Sequence, residues 1–369
     1  MASRGRTKVL WLTKGLGQGG MERLLVNHAI AGDRERFEYS AAYLIDRPHS
    51  VIDELRDLGI TVDRLGSGSG ADPRWLIDLI RLVRRERIDV VHAHSPMPAA
   101  FARVAVRLLS RRTRLVYTEH NRWDRFGKAT RWANHLTFGL NDSTIAVSDD
   151  CRDTVAPRFR ARVTTLVHGI DVGEVAKHRG EREDARAELG VDDTTVVIGT
   201  VANFRVQKNY PLLLEVAAAL TAERPNVVFV AIGQGPLESE LIALHSRLGL
   251  EDRFRFLGFR SDAHRLMAGF DVFCLSSDHE GLPVAVMEAK ALGLPIVSTA
   301  VGGVPEAVEN GRDGLVVPPR NPTALLGALR RVTDDPELRD RLAEASRNSS
   351  SEYAATRAVT YQEEVYGHF

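Results

Sequence analysis

Short apolar runs alternate with amphipathic segments along almost the whole chain. The first half contains the strand-like runs KVLWLT, YSAAYLI, DVVHAHS, RLVYTEH and STIAVS, and the second contains TVVIGTVAN, NVVFVAIG, FRFLGF, DVFCLSS, PIVST and GLVVPP. Segments with apolar residues at helical spacing separate most of these runs. Strands that alternate with helices predict parallel β-α-β units, and near-continuous Val and Ile runs predict strands buried on both faces. The pattern therefore predicts an α/β fold with two doubly wound, Rossmann-like sheets.

The length supports a division into two domains. A chain of 369 residues exceeds one ordinary core, so two domains of about 100–200 residues are expected. We place the first over residues 1–171 and the second over residues 172–351, with the polar, glycine-bearing stretch 169–185 as the linker. Doubly wound domains bind ligands at the carboxyl ends of their strands, so we expect the functional residues there.

Composition and charge narrow the class of protein. The N-terminal apolar run is too short for a signal peptide, and no apolar stretch approaches the ~18 residues of a membrane span, so we expect a cytoplasmic protein. Residues 1–171 carry 28 Lys and Arg against 20 Asp and Glu, a net charge of +8, and residues 172–369 carry a net charge of −8. This asymmetry fits either an anionic partner of the first half or complementary fields on the two domains.

The stretch KGLGQGGMERLL, residues 14–25, places three glycines at the spacing of a dinucleotide-binding turn. A dinucleotide site also needs an acidic residue about 20 residues further on, and Asp46 lies later than that. Two other interpretations remain open: a phosphate or other anion at the start of a helix, or a tight turn without a ligand.

The most specific stretch is HEGLPVAVMEAKALGLPIVSTAVGGVPEAVENGRDGLVVPP, residues 279–319. Glu280 and Glu288 are eight residues apart, and Pro283 is predicted at the first position of the intervening helix. The unpaired amides at the start of that helix could hold a diphosphate, while the two carboxylates accept hydroxyls of a sugar and a ribose. Two solvated glutamates on a surface helix are the alternative.

This stretch closely resembles the E-x7-E signature of retaining glycosyltransferases of family four, which have the GT-B fold. The segments GGMERLL, TEH, VHGID, NFRVQKN and AIGQGPLESEL resemble other parts of that family in the same order. The resemblance implies two Rossmann-like domains that face a cleft, with a C-terminal helix at about 352–369 that crosses back to the first. It also implies sugar transfer from a nucleoside-diphosphate sugar, UDP favoured over GDP, to a hydroxyl acceptor in glycan, glycolipid or glycoconjugate biosynthesis.

The resemblance also implies roles for single residues. His120 and Glu280 are expected at the transferred sugar, Lys208 and Arg205 at the diphosphate, and Glu288 at the ribose. The family usually has its arginine where this chain has Asn203. The expected donor-binding residues are Gly19, Gly20, Asn203, Arg205, Lys208, Gly233, Gly235, Phe259, Arg260, Gly281, Leu282, Pro283 and Glu288.

No D-x-D triplet occurs in the sequence, so we expect neither a metal nor another cofactor. Nucleic acid is not an expected partner, because no recognised binding module accompanies the charge. The basic amphipathic stretches 74–88 and 99–115 fit either peripheral contact with an anionic membrane, where a lipid-linked acceptor would lie, or helices that pack on a sheet. The rival functions are a GT-B sugar-binding partner without transferase activity and an NAD-dependent oxidoreductase.

Overall fold

The computed structural model describes residues 5–68 and 72–367. The chain divides into two compact units. The first unit comprises Met1–Gly169 and Ala355–Phe369, and the second comprises Ile170–Ala354. Both are α/β structures in which every strand pairing is parallel among the described residues, which confirms the predicted fold class.

The sheet of the first unit has seven strands. They are β1 (Thr7–Thr13), β2 (Phe37–Tyr43), β3 (Thr61–Arg64), β4 (Val90–Ala93), β5 (Arg114–Glu119), β6 (Ser143–Ala146) and β7 (Val163–Thr165), in the order β3-β2-β1-β4-β5-β6-β7. The helices are α1 (Gly20–Ala31), α2 (Ile52–Asp57), α3 (Arg74–Glu86), α4 (Pro96–Leu109), α5 (Lys128–Thr137), α6 (Asp149–Thr154) and α7 (Pro157–Arg160). The strand order reverses between β1 and β4, the place where doubly wound sheets bind ligands.

The sheet of the second unit has six strands. They are β8 (Val196–Val201), β9 (Val227–Ile232), β10 (Phe254–Phe256), β11 (Val272–Leu275), β12 (Ile296–Thr299) and β13 (Gly314–Val317), in the order β10-β9-β8-β11-β12-β13. The helices are α8 (Val172–Lys177), α9 (Arg182–Glu188), α10 (Tyr210–Glu223), α11 (Glu238–Arg247), α12 (Ala263–Met267), α13 (Val284–Leu292), α14 (Val304–Ala307), α15 (Pro322–Asp334) and α16 (Pro336–Ser349). Here the strand order reverses between β8 and β11.

The last helix, α17 (Ala355–Gly367), packs against α1 and β1 of the first unit. Its Tyr366 is buried in the core that contains Trp11 and Phe37. The carboxylate of Glu363 accepts hydrogen bonds from the Tyr39 hydroxyl at 2.6 Å and from the Asp33 amide at 2.7 Å. Apolar burial and these buried polar contacts together hold α17 on the first sheet.

The division between the two units falls at the start of the stretch 169–185 that the sequence predicts as the linker. This stretch contains α8, a 3-10 turn at His178–Glu181 and the beginning of α9, with Val175 and Ala185 buried. One local prediction differs from the structure: Pro283 is not the first residue of α13 but the residue before it, with an extended ψ of 118°. In the basic stretch 99–115, α4 ends at Leu109 and the predicted strand begins at Arg114 as β5.

Candidate active site

Lys208 and Glu280 meet at the carboxyl edge of the second sheet. Lys208 follows β8 and Glu280 follows β11, the two adjacent strands between which the strand order reverses. The Lys208 Nζ lies 2.6 Å from Glu280 Oε1, and the two side chains are only 17% and 8% exposed. A largely buried ion pair at a ligand-binding edge points to a functional role. Removing both charges from water costs about as much free energy as their attraction returns, so such a pair seldom stabilises the fold.

Neighbouring hydroxyls hold this pair in place. Ser277 Oγ donates to Glu280 Oε1 at 2.5 Å, so the carboxylate has a second anchor besides the ammonium group. Ser276 Oγ donates to the carbonyl oxygens of Lys208 and Asn209 at 2.9 and 3.1 Å, which ties the end of β11 to the lysine loop. Thr299 Oγ1 on β12 donates in turn to the carbonyl of Ser277 at 2.6 Å.

The loop after β12, which contains Gly302 and Gly303, packs against the backbone of Glu280. Gly302 has a φ of +56°, a conformation that favours glycine. A Cβ at this position would overlap the carbonyl oxygen of Glu280 and lie 2.8 Å from that of Gly281. The Gly303 amide donates to the Gly281 carbonyl at 2.6 Å. The two loops are therefore in direct backbone contact, and Glu280 has little freedom to move.

Glu288 is the fifth residue of α13 and is 9% exposed. Its Oε1 lies 2.9 Å from Nε2 of His264 on α12. The predicted residues Gly281, Leu282 and Pro283 directly precede the first residue of α13, Val284. The structure therefore brings one carboxylate, the beginning of a helix and a second carboxylate into a single segment.

Gly233 and Gly235 follow β9 and contact the loop after β8. A Cβ on Gly233 would overlap the Ala202 carbonyl, and one on Gly235 would lie 2.5 Å from the Phe204 carbonyl oxygen. The Phe204 amide also donates to the Gln234 carbonyl at 2.9 Å. Close contact with the loop after β8 therefore requires glycine at both positions, and the same contact brings them beside the predicted residue Asn203.

The remaining predicted residues of the second unit differ in their surroundings. Arg205 is exposed and has no salt-bridge partner within residues 5–68 and 72–367. Phe259 is 37% exposed, and the Gly258 carbonyl before it accepts from the Gly233 amide at 2.9 Å. The Arg260 guanidinium binds Glu188 at 2.6 Å and Asp262 at 2.8 Å. The role predicted for Phe259 and Arg260 belongs to their backbone, near the base, so these side-chain contacts do not conflict with it.

In the first unit, the glycine turn joins β1 to α1. Gly19 is the residue before the helix and Gly20 is its first residue. Neither has a positive φ, so the turn does not need glycine for its backbone conformation. A Cβ on Gly19 would instead overlap the Glu22 carboxylate. Asp46, the acid considered for a dinucleotide ribose, already accepts from Tyr43 at 3.0 Å and binds Arg64.

His120 belongs to a cluster of five histidines in the first unit, together with His28, His92, His94 and His168. The His120 Nε2 lies 3.1 Å from the His94 Nδ1, and its ring centroid lies 5.8 Å from that of His168. Burial, with the neighbouring imidazoles as a second cause, lowers the pKa of both His94 and His120 well below the usual value. Among the described residues, no group of three or more His, Cys, Asp or Glu could hold a metal ion.

The burial of these histidines predicts that acid lowers the stability of the first unit. Burial lowers the pKa of His28 to about 3 and that of His168 to about 4. The folded rings stay neutral while unfolded rings take up protons below about pH 6.5. The contribution of these histidines to the free energy of unfolding is therefore complete above pH 6.5 and is lost as the pH falls towards 4. Buried Glu119, whose pKa is raised to about 7, opposes this: its contribution is present below about pH 4.5 and is lost as the pH rises to 7.

We expect the five histidines to outweigh the one glutamate, so that the free energy of unfolding falls from pH 7 to pH 5. Urea titrations at both pH values measure it. Replacing His168 with glutamine should reduce the slope by up to one proton, about 1.4 kcal/mol per pH unit. Equal stability of the wild-type protein at pH 5 and pH 7 would contradict this account.

Sequence reasoning missed Ser276, Ser277, His264 and His94. The two serines lie directly after an apolar strand run, a position that could have marked them. His94 lies in the run DVVHAHS, whose apolar residues predict only a strand. His264 carries no sequence signal, because its contact with Glu288 depends on how α12 and α13 pack.

Two units with doubly wound parallel sheets define the GT-B class of glycosyltransferase folds. Residues 18–174 match the family model Glycosyltransferase Family 4, and residues 181–349 match the model Glycosyl transferases group 1. The chain therefore belongs to the family-four glycosyltransferases, and it is a transferase enzyme.

Two relatives and one solved structure illustrate this similarity. The chain is 26% identical to N-acetyl-alpha-D-glucosaminyl L-malate synthase of Bacillus anthracis over 297 residues, 78% of this chain and 77% of the relative. It is 28% identical to UDP-Gal:alpha-D-GlcNAc-diphosphoundecaprenol alpha-1,3-galactosyltransferase of Escherichia coli over 286 residues, 72% of each chain. HepE of Anabaena, crystallised with UDP-glucose, has a TM-score of 0.86 and 22% identity over 99% of this chain and 100% of its own.

Proposed function

We propose that this enzyme transfers a sugar from a UDP-sugar to a hydroxyl acceptor, with retention of the anomeric configuration, in the biosynthesis of a glycan, glycolipid or glycoconjugate. The observation that carries the proposal is the ion pair between Lys208 and Glu280 at the β8–β11 edge. The preference for UDP is supported by the E. coli relative, whose name gives UDP-Gal as its donor, and by HepE, which was crystallised with UDP-glucose.

The chemistry follows from the charges at this edge. A nucleoside diphosphate carries its charge on the leaving group, and Lys208 would stabilise the negative charge that develops there. When the ammonium group turns from Glu280 to a phosphate, the Ser277 hydroxyl still holds the carboxylate at 2.5 Å. Glu280 would then remain oriented to accept hydroxyl groups of the sugar. The first amides of α13 would add hydrogen bonds to the diphosphate.

Roles are proposed for the other predicted residues as well. Glu288 accepts the ribose hydroxyls, and His120 contacts the transferred sugar. Exposed Arg205 has no salt-bridge partner among the described residues and would supply the second positive charge at the diphosphate. No metal or other cofactor is proposed. Release of UDP distinguishes the alternative, because a sugar-binding protein without transferase activity would not release UDP from a UDP-sugar.

Donor binding and turnover test the proposal separately. Calorimetric titration with UDP, GDP, ADP and NAD should show tightest binding of UDP, and binding should weaken in Glu288→Gln. Release of UDP from a panel of UDP-sugars measures turnover, and NMR of the product gives the anomeric configuration. Tightest binding of NAD would contradict the proposal, as would an inverted product. The exposed Glu223→Gln substitution on α10 serves as the matched control.

We also propose that the first unit contacts an anionic membrane through α3, α4 and α5, where a lipid-linked acceptor would be available. No helix in the described part of the chain is long and apolar enough to cross a bilayer. Helix α4 packs beside both α3 and α5, and the three helices expose large apolar side chains next to arginines. Leu108 and Trp132 are each 68% exposed, and Leu136 is 58% exposed. Exposed apolar groups with nearby cations are typical of helices that bind anionic lipid surfaces.

The membrane proposal predicts binding to phosphatidylglycerol vesicles. The wild-type protein should sediment with these vesicles at low salt and less at high salt, whereas Trp132→Ser combined with Leu108→Ser should abolish sedimentation. Val206→Ser in the second unit, where the valine is 75% exposed, is the matched control and should bind like the wild type. Absence of wild-type binding at low salt would overturn the proposal.

A further inference from the structure

His94 is fixed in position directly beside His120. It follows β4, and its amide donates to the Leu12 carbonyl on β1 at 2.9 Å. The His94 ring is tilted against the His92 ring with centroids 4.1 Å apart, and His94 is 6% exposed. Its Nδ1 lies 3.1 Å from the His120 Nε2. One of these two nitrogens must donate the proton of the hydrogen bond and the other must accept it.

The other nitrogen of His94 decides which ring donates. His94 Nε2 is buried and has no hydrogen-bond partner in the part of the chain that the structure describes. A neutral imidazole carries a single N–H, and a buried N–H without an acceptor is rarer and more costly than an unused lone pair. The proton of His94 therefore lies on Nδ1, and this nitrogen donates to His120.

The tautomer of His120 follows from this hydrogen bond. Since its Nε2 accepts from His94, the proton of a neutral His120 must lie on Nδ1. Burial favours the neutral form of both rings, with the nearby imidazole of His168 as a further cause for each. His168 provides a comparison: its Nδ1 can only donate to the Leu166 carbonyl, 3.2 Å away, so it too carries its proton on Nδ1.

We propose that His94 is a positioning residue that holds His120 with its proton on Nδ1, so that His120 offers a hydrogen-bond donor to an oxygen atom of the transferred sugar. This inference deepens the proposed function and rests on it. His94 itself does not touch the sugar. It acts by fixing the orientation of the His120 ring and by occupying the nitrogen that would otherwise carry the proton.

A matched pair of substitutions tests the direction of the hydrogen bond. His94→Asn places an amide N–H near the original Nδ1 and can still donate to His120, whereas His94→Asp of the same shape can only accept when ionised. We expect kcat to fall about tenfold in the aspartate variant, with little change in KM for the donor, and most of this loss to be recovered in the asparagine variant. Activity of His94→Asp should rise as the pH is lowered, because a protonated His120 carries N–H groups on both nitrogens.

Long-range ¹⁵N–¹H NMR of the histidine rings reads the tautomers without any assay of activity. The signals of His120 are assigned from the His120→Gln variant. The wild-type protein should show His120 protonated on Nδ1, and His94→Asp should move the proton of neutral His120 to Nε2. An Nε2 proton on wild-type His120 would overturn the inference, as would equal activity of the asparagine and aspartate variants. If His120→Ala retains full activity, the proposed role of His120 fails instead, and the tautomer measurement still stands.

Discussion

Lys208→Met is expected to lower kcat for sugar transfer by about 100- to 1000-fold, the usual cost of removing one group that stabilises developing negative charge. Methionine keeps most of the length and the apolar stem of lysine, so the substitution removes mainly the charge. Two effects act in the same direction: the leaving diphosphate loses its cation, and Glu280, whose side chain is 8% exposed, loses its ion-pair partner. Steady-state kinetics with the preferred UDP-sugar measures the change.

Lys177→Met is the matched control. Lys177 also forms an ion pair with a glutamate of the second unit, Glu174, but the two side chains are 71% and 59% exposed. Exposed ion pairs contribute little, so this variant should keep wild-type kinetics and stability. A kcat for Lys208→Met within threefold of the wild-type value would show that Lys208 does not assist the leaving group. If Lys208→Met lost much stability and Lys177→Met did not, the pair between Lys208 and Glu280 would serve to stabilise the fold.

The sequence predicts the elements well where apolar residues alternate with helical segments. Each of the strand-like apolar runs overlaps a strand of the structure, because a strand buried on both faces needs an unbroken apolar run. The short helices within residues 169–185 carry no such signal. Short helices there bury only a few side chains, such as Val175, and their polar composition is typical of a linker.

The candidate site is predictable only in part. Doubly wound topology predicts that residues after β8 and β11 lie side by side, which is where Lys208 and Glu280 meet. It does not predict that Ser277 contacts the carboxylate while Ser276 contacts the lysine loop, because this depends on backbone angles at the end of β11. Gly233 is a similar case, since close contact with a neighbouring loop requires glycine there, whether or not a nucleoside binds.

The contact behind Glu280 predicts the second large effect: Gly302→Ala should lower kcat/KM by at least about 100-fold, since displacing catalytic groups by about 1 Å can cost this much. The new Cβ would overlap the Glu280 carbonyl oxygen and lie 2.7 Å from its carbonyl carbon. Because these are backbone atoms, the Glu280–Gly281 segment must shift, and the carboxylate must shift with it. Donor affinity by calorimetry and kcat/KM by initial rates measure the effect.

Gly311→Ala separates this displacement from backbone strain. Gly311 also has a positive φ, +86°, but a Cβ there would meet no heavy atom within 4 Å. Both variants carry the strain of a left-handed alanine, about 1 kcal/mol, so Gly311→Ala measures the effect of strain alone, and Gly302→Ala should lower the free energy of unfolding further because the backbone must also shift. Only Gly302→Ala should lose activity and donor binding. Equal activity in the two variants would mean that the Glu280 loop can adapt, and the rigid support proposed for the carboxylate would then be wrong.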